Sequence, residues 1–127
     1  MSTVTLSQST FNDTMAKNPI VLVDFWAEWC GPCRNFAPVY EEASKTHPDI
    51  VFGKVDTEAE TGLAQAFQIT SIPTLMAIRD EVIIFAQPGA LAGSDLEKLI
   101  QAVKSVDMDK VRADLASSSD TGSAPTA

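Results

Sequence analysis

The run IVLVDFW (20–26) constrains this chain more than any other stretch, being apolar throughout except at Asp24. A continuous Val- and Ile-rich run of this length reads as a strand buried on both faces, which requires helices above and below its sheet. The remaining sequence supplies them in alternation. VTL (4–6) reads as a short edge strand. STFNDTMAK (9–17) reads as a helix, with Ser7 or Ser9 as N-cap and Phe11 and Met15 on one face. A second helix runs from Cys30 to about Thr46 and should kink at Pro38, which lacks a backbone donor. IVFGKVD (50–56) is a second buried strand, and TEAETGLAQAF (57–67) a helix capped by Asp56 or Thr57. TLMAIRD (74–80) and VIIFAQ (82–87) form an antiparallel hairpin. SDLEKLIQAVKSV (94–106) is an amphipathic helix capped by Ser94, with Leu96, Leu99, Ile100 and Val103 as its apolar stripe. The order β-α-β-α-β-α-β-β-α specifies an α/β fold, a central mixed sheet with helices on both faces.

This domain occupies residues 1–106. MDKVRADLA (108–116) keeps enough apolar positions for one further helix, and SSSDTGSAPTA (117–127) reads as a disordered tail. A 127-residue chain can bury a core without help from disulfides or metal. Its 9 Lys+Arg against 17 Asp+Glu leave a net charge of −8, which repels phosphate backbones and anionic lipid. Nucleic acid and membrane surfaces are therefore not expected partners. Residues 1–18 lack a basic stretch followed by an apolar one, and no apolar run approaches the ~20 residues of a membrane helix. The expected address is the cytoplasm, where structural disulfides are rare.

That setting bears on the chain's two cysteines, Cys30 and Cys33, in WCGPC (29–33). A structural staple is disfavoured in a reducing compartment. A zinc site needs four ligands, and the chain offers two cysteines and one histidine, His47, whose setting in KTHPDI reads as a solvated helix end. A redox pair remains. Cys30 falls at a helix N-terminus, where unpaired N–H groups and the dipole favour thiolate. Cys33, one turn further in, should be more buried and protonated at rest. Cys30 would attack a substrate disulfide and Cys33 would resolve the mixed disulfide. Asp24, the one ionisable residue of its strand, is the candidate to take the Cys33 proton, since burial raises a carboxyl pKa toward neutrality. Lys54, the matching oddity in IVFGKVD, would pair with Asp24 and tune it.

Around these residues VDFWAEWCGPCR closely resembles the signature of the thioredoxin family, including Asp24, Trp26, Trp29, Gly31, Pro32 and Pro38 downstream. SIPTL (71–75) is similar to the family's Ile-Pro-Thr loop, whose proline is cis, and QPGAL (87–91) to its Gly-Ala loop at Gly89. The resemblance spans about residues 3–106. It implies a thioredoxin fold and a protein-disulfide reductase with no bound cofactor, whose redox-active disulfide Cys30–Cys33 is re-reduced by a thioredoxin reductase drawing on NADPH. It further implies a monomer acting on disulfide-containing cytosolic proteins. Gly31 and Pro32 would set a reducing potential, and Trp29, Ile72, Pro73, Gly89 and Ala90 would grip substrate. A cis Pro73 would leave the Ile72 N–H and C=O free to pair with an extended peptide. Three departures touch partner choice rather than chemistry: Pro88 in place of a residue with an N–H, the turn RDEV (79–82) without glycine, and the extension beyond residue 107. An oxidase or isomerase on the same fold and a redox-independent binding module are the alternative readings.

Overall fold

The computed structural model describes residues 2–120. Ten elements follow one another: β1 (Thr3–Thr5), α1 (Phe11–Lys17), β2 (Ile20–Trp26), α2 (Gly31–Thr46), β3 (Val51–Asp56), α3 (Thr61–Ala66), β4 (Thr74–Arg79), β5 (Val82–Pro88), α4 (Gly93–Ser105) and α5 (Met108–Asp120). The five strands form one sheet in the order β1-β3-β2-β4-β5. β1, β3 and β2 are parallel, whereas β4 is antiparallel to β2 and β5 to β4. The mixed sheet with helices on both faces is as the sequence implied.

β2 lies at the centre and its side chains alternate between two cores. Val21, Val23 and Phe25 face a layer with Leu6, Phe11, Met15 and Leu63 beneath α1 and α3. Leu22 faces the opposite layer with Phe36, Tyr40, Phe52, Leu96 and Ile100 beneath α2 and α4. By the same alternation Asp24 belongs to the α2/α4 face. Gly53 of β3 faces the other way, where a Cβ would collide with the Leu6 side chain.

Local capping departs from the sequence reading in three helices. α1 is entered through a turn in which Thr10 N–H and Phe11 N–H donate to Ser7 O (3.1 and 2.9 Å), so Ser7 acts through its carbonyl rather than its hydroxyl. α3 starts at Thr61 instead of residue 57, because Asp56 Oδ1 accepts the Glu58 N–H (2.9 Å) and folds the chain into a turn first. Ser94 is inside α4, whose N-cap is Ala92. α2 continues through Pro38 as one 16-residue helix. The β4–β5 turn places Asp80 and Glu81 at φ 51° and 67°. Two left-handed residues make the hairpin turn whose twist matches the strands, here without glycine.

His47 is buried, not solvated: it closes α2, donates its Nε2–H to Glu97 Oε1 (2.8 Å), and accepts at Nδ1 from Lys104 Nζ (3.1 Å). Arg79 Nη1 donates to the carbonyls of Val103, Lys104 and Val106 (3.0, 3.1 and 2.8 Å), filling the acceptors left open at the end of α4. α5 follows, with Met108 buried and Arg112 reaching Asp80 of the turn (3.4 Å). The helix extends past residue 116, where the sequence suggested it would stop; of the expected tail, residues 121–127 lie outside the described residues.

Candidate active site

α2 begins at the cysteine pair. Cys30 is its N-cap, and Gly31 and Pro32 are its first two residues, where proline loses no helical hydrogen bond. Cys30 N–H donates to Ala27 O and Arg34 N–H to Cys30 O, both at 3.2 Å. Cys33 N–H donates to Cys30 Sγ (3.2 Å), so sulfur occupies the place of an N-cap oxygen. Negative charge on Cys30 would therefore meet an N–H donor and the positive end of the helix. The approach to the helix is braced by Arg34, whose Nε and Nη2 both donate to Glu28 O (3.0 and 2.8 Å).

The two sulfurs are bonded, with Cα atoms 5.2 Å apart. Cys30 is 4% exposed and Cys33 3%, so in the oxidised state they do not differ in burial as the sequence suggested. The bond draws both sulfurs into one small cluster with Ala27, Trp26 and Ile72. Their inequality is one of position: Cys30 Sγ accepts the helix N–H, whereas Cys33 sits one turn in.

Asp24 lies beneath α2, 1% exposed, with no partner for Oδ1 or Oδ2 among the described residues. Burial pushes its pKa from 3.8 to about 7, and the Lys54 charge offsets part of that rise. Lys54 is indeed the β3 neighbour of Asp24 in register. The direct pair expected from the sequence is not made: among the described residues no ion pair joins them, and Lys54 Nζ lies over the Trp26 ring at 4.9 Å. A cation over an aromatic face keeps access to water, which a buried ion pair forfeits.

The rim gathers the remaining expected residues. Trp29 is 66% exposed. Together with Ile72 it borders a hollow that also takes in Thr57, Glu58 and Ser71. The Ile72–Pro73 peptide is cis. Among the described residues neither the N–H nor the C=O of Ile72 has a hydrogen-bond partner. Gly89, at φ 110°, donates its N–H to Pro73 O (2.8 Å), so this amide is used within the fold. Ala90 follows it in the same loop, and Pro88, the last residue of β5, pairs with Thr74. The sequence reading named Thr57 only as a candidate helix cap and did not single out Glu58, Arg34 or Tyr40. The 33-36-40 spacing, a helical i, i+3, i+7 pattern, was the signal that puts Tyr40 on the face of Cys33.

A disulfide that closes a short Cys-x-x-Cys ring at a helix N-terminus, on a sheet face that also buries a carboxyl of near-neutral pKa, and beside an open peptide edge, can exchange with a disulfide presented in an extended segment. Among the described residues no group of three or more His, Cys, Asp or Glu is placed to hold a metal, and no helix is long and apolar enough to cross a membrane. Residues 2–122 match the family model described as Thioredoxin. A relative named "Putative thioredoxin 2" from Streptomyces coelicolor is 58% identical over 111 residues, 87% of this chain and 83% of that protein. The solved Plasmodium falciparum thioredoxin is 39% identical, with a TM-score of 0.73 over 78% of this chain and 97% of its own. A bifunctional thioredoxin reductase/thioredoxin of Mycobacterium leprae is 46% identical over 69 residues, 54% of this chain and 15% of that protein. The chain belongs to the thioredoxin family, and its Cys30–Cys33 pair is that of a thiol–disulfide oxidoreductase that reduces protein disulfides.

Proposed function

We propose that Cys30 is the nucleophile and Cys33 the resolving thiol of this reductase, with Asp24 as the proton acceptor and donor for Cys33. Cys30 thiolate attacks a substrate disulfide; one substrate sulfur leaves as thiolate and a Cys30–substrate disulfide forms. Asp24 carboxylate then takes the Cys33 proton, and Cys33 thiolate attacks Cys30 Sγ. The mixed disulfide breaks, the second substrate thiolate leaves, and the Cys30–Cys33 disulfide remains. Two electrons have passed from the protein dithiol to the substrate. One observation carries this reading above others: α2 begins at the Cys30–Cys33 disulfide, and the sheet face it covers holds Asp24, a buried carboxyl with no partner among the described residues.

Lys54 tunes Asp24 through its field rather than by contact, consistent with its place over Trp26. Gly31 and Pro32 set the potential, and Trp29, Ile72, Pro73, Gly89 and Ala90 receive an extended substrate segment, which the free backbone of Ile72 supports. The disulfide is returned to dithiol by a thioredoxin reductase using NADPH, so the chain binds no cofactor of its own. The reductase fused to a relative's thioredoxin part supports this partner. The reading places a monomer in the cytoplasm, acting on proteins there, with residues 1–106 sufficient for the redox cycle. Equilibration of Cys30–Cys33 against a thiol–disulfide buffer, followed by Trp26 and Trp29 fluorescence, tests it. Thioredoxins themselves have potentials near −270 mV, and a value in that region is expected. A value above roughly −200 mV would make the protein an oxidant or isomerase instead.

A further inference from the structure

Tyr40 is fully buried, and nothing in the exchange cycle above uses its hydroxyl. The ring is wedged between Phe36 and Phe52 (centroids 5.5 and 5.2 Å), and the hydroxyl donates to Gly53 O at 2.8 Å. Gly53 immediately precedes Lys54, the residue in register with Asp24. The phenol oxygen thus sits one strand over and one residue back from Asp24, on the same face of the sheet. Among the described residues neither oxygen of Asp24 has a donor. An ionised carboxylate left so would be costly, and an unpaired buried group calls for a donor that arrives when the charge does. Gly53 O does not depend on the phenol. Lys54 O accepts from Leu6 N on the β1 side, so by the alternation of a parallel ladder the Gly53 carbonyl points to β2.

Resting on the proposed role of Asp24, we propose that Tyr40 is a positioning residue for the resolving step: its hydroxyl donates to Gly53 O while Asp24 is protonated and turns to the Asp24 carboxylate when that group is ionised. Proton transfer from Cys33 then returns the hydroxyl to Gly53, and no atom enters or leaves the site. The field of Asp24 does reach the phenol, adding to burial in holding its pKa well above the ordinary value. The other charged group whose field reaches Asp24 is Lys54 on β3; Cys30 and Cys33, at the head of α2, are joined in the disulfide and do not titrate in this state. Leu75 from β4, and Leu96 and Ile100 from α4, on the same face as Asp24, are apolar.

The test is Tyr40→Phe, which removes one oxygen and keeps the ring. The Asp24 carboxyl carbon is titrated by NMR in the oxidised protein, beside the parent chain. Loss of a donor to the carboxylate should raise the midpoint by about one pH unit. A merely structural role would lower stability and leave the midpoint in place, which overturns the proposal. Should Tyr40→Phe not fold, the ζ carbon of Tyr40 is followed in the parent chain: a step at the Asp24 midpoint supports the partner change, and a flat curve refutes it. An Asp24→Asn chain whose resolving rate keeps the parent's pH profile would defeat the proton role of Asp24 itself, a separate failure.

Discussion

Replacing Asp24 by Asn should stabilise the protein, and by an amount that grows with pH. Asp24 has a pKa of 3.8 in the open chain and about 7 when folded. Because the folded value is the higher, ionisation opposes folding. No cost exists below the unfolded pKa, the cost grows between the two values, and it is complete above the folded one. Three pKa units correspond to about 4 kcal/mol at full ionisation. Between pH 5 and pH 8 the parent should therefore lose about 2–3 kcal/mol through this residue alone. Asn keeps the size and a buried amide, whose own desolvation cost is independent of pH and drops out of the difference. Urea unfolding of both oxidised chains at pH 5 and pH 8, with tryptophan fluorescence as signal, measures it. All other titrating groups are shared and cancel. A stability gain that is the same at both pH values within about 0.5 kcal/mol would mean that Asp24 is not held neutral by burial, and the proton role argued for it would lose its basis.

Cys33→Ser should accumulate a covalent Cys30–substrate species with a disulfide-bearing protein, visible by non-reducing mass spectrometry, whereas Cys30→Ser should form none; capture by the second chain would reverse the assignment. Arg79→Met, which strips the end of α4 of a donor to three carbonyls, should lower stability by about 1–3 kcal/mol in denaturant titration and leave disulfide exchange unchanged. Deleting residues 107–127 exposes the surface under Met108 and should lower Tm by about 5 °C, with exchange rates within about twofold of the parent; a large loss of activity would give α5 a part in the reaction.

What the sequence made legible was local in origin. The run 20–26 became β2 with the same bounds, since an apolar segment of that length has few other places in an α/β fold. Asp24 and Lys54 were found as exceptions within apolar strands, and the register did bring them side by side. Cys30 and Cys33 were marked by their spacing and by helix-end chemistry, and the resemblance of the stretch around them agreed. What escaped was set by partners distant in the chain. His47 is buried because Glu97 and Lys104, 50 and 57 residues on, reach its two nitrogens. Arg79 found its carbonyls 24 to 27 residues away. The late start of α3 has a short-range cause, the Asp56 side chain, but turn and cap were equally open to it until the fold fixed the exit of β3.

The position of Asp24 links these two levels. A free thiol has a pKa near 8.5 and an exposed aspartate one near 4, so transfer from Cys33 to an exposed carboxylate would be uphill by more than four units. At about 7 the gap narrows to roughly one and a half, a gain of about a thousandfold in the proton equilibrium. That gain comes from burial beneath the apolar layer of Leu22, Phe36, Phe52 and Leu75, which the alternation of β2 fills on the α2 side. On an edge strand such as β1, whose residues stand largely open to water, the same carboxyl would keep its ordinary value. On the proposed role of Asp24 the central strand is part of the chemistry: it destabilises the fold at neutral pH and in return holds a carboxyl whose proton affinity approaches that of a thiol.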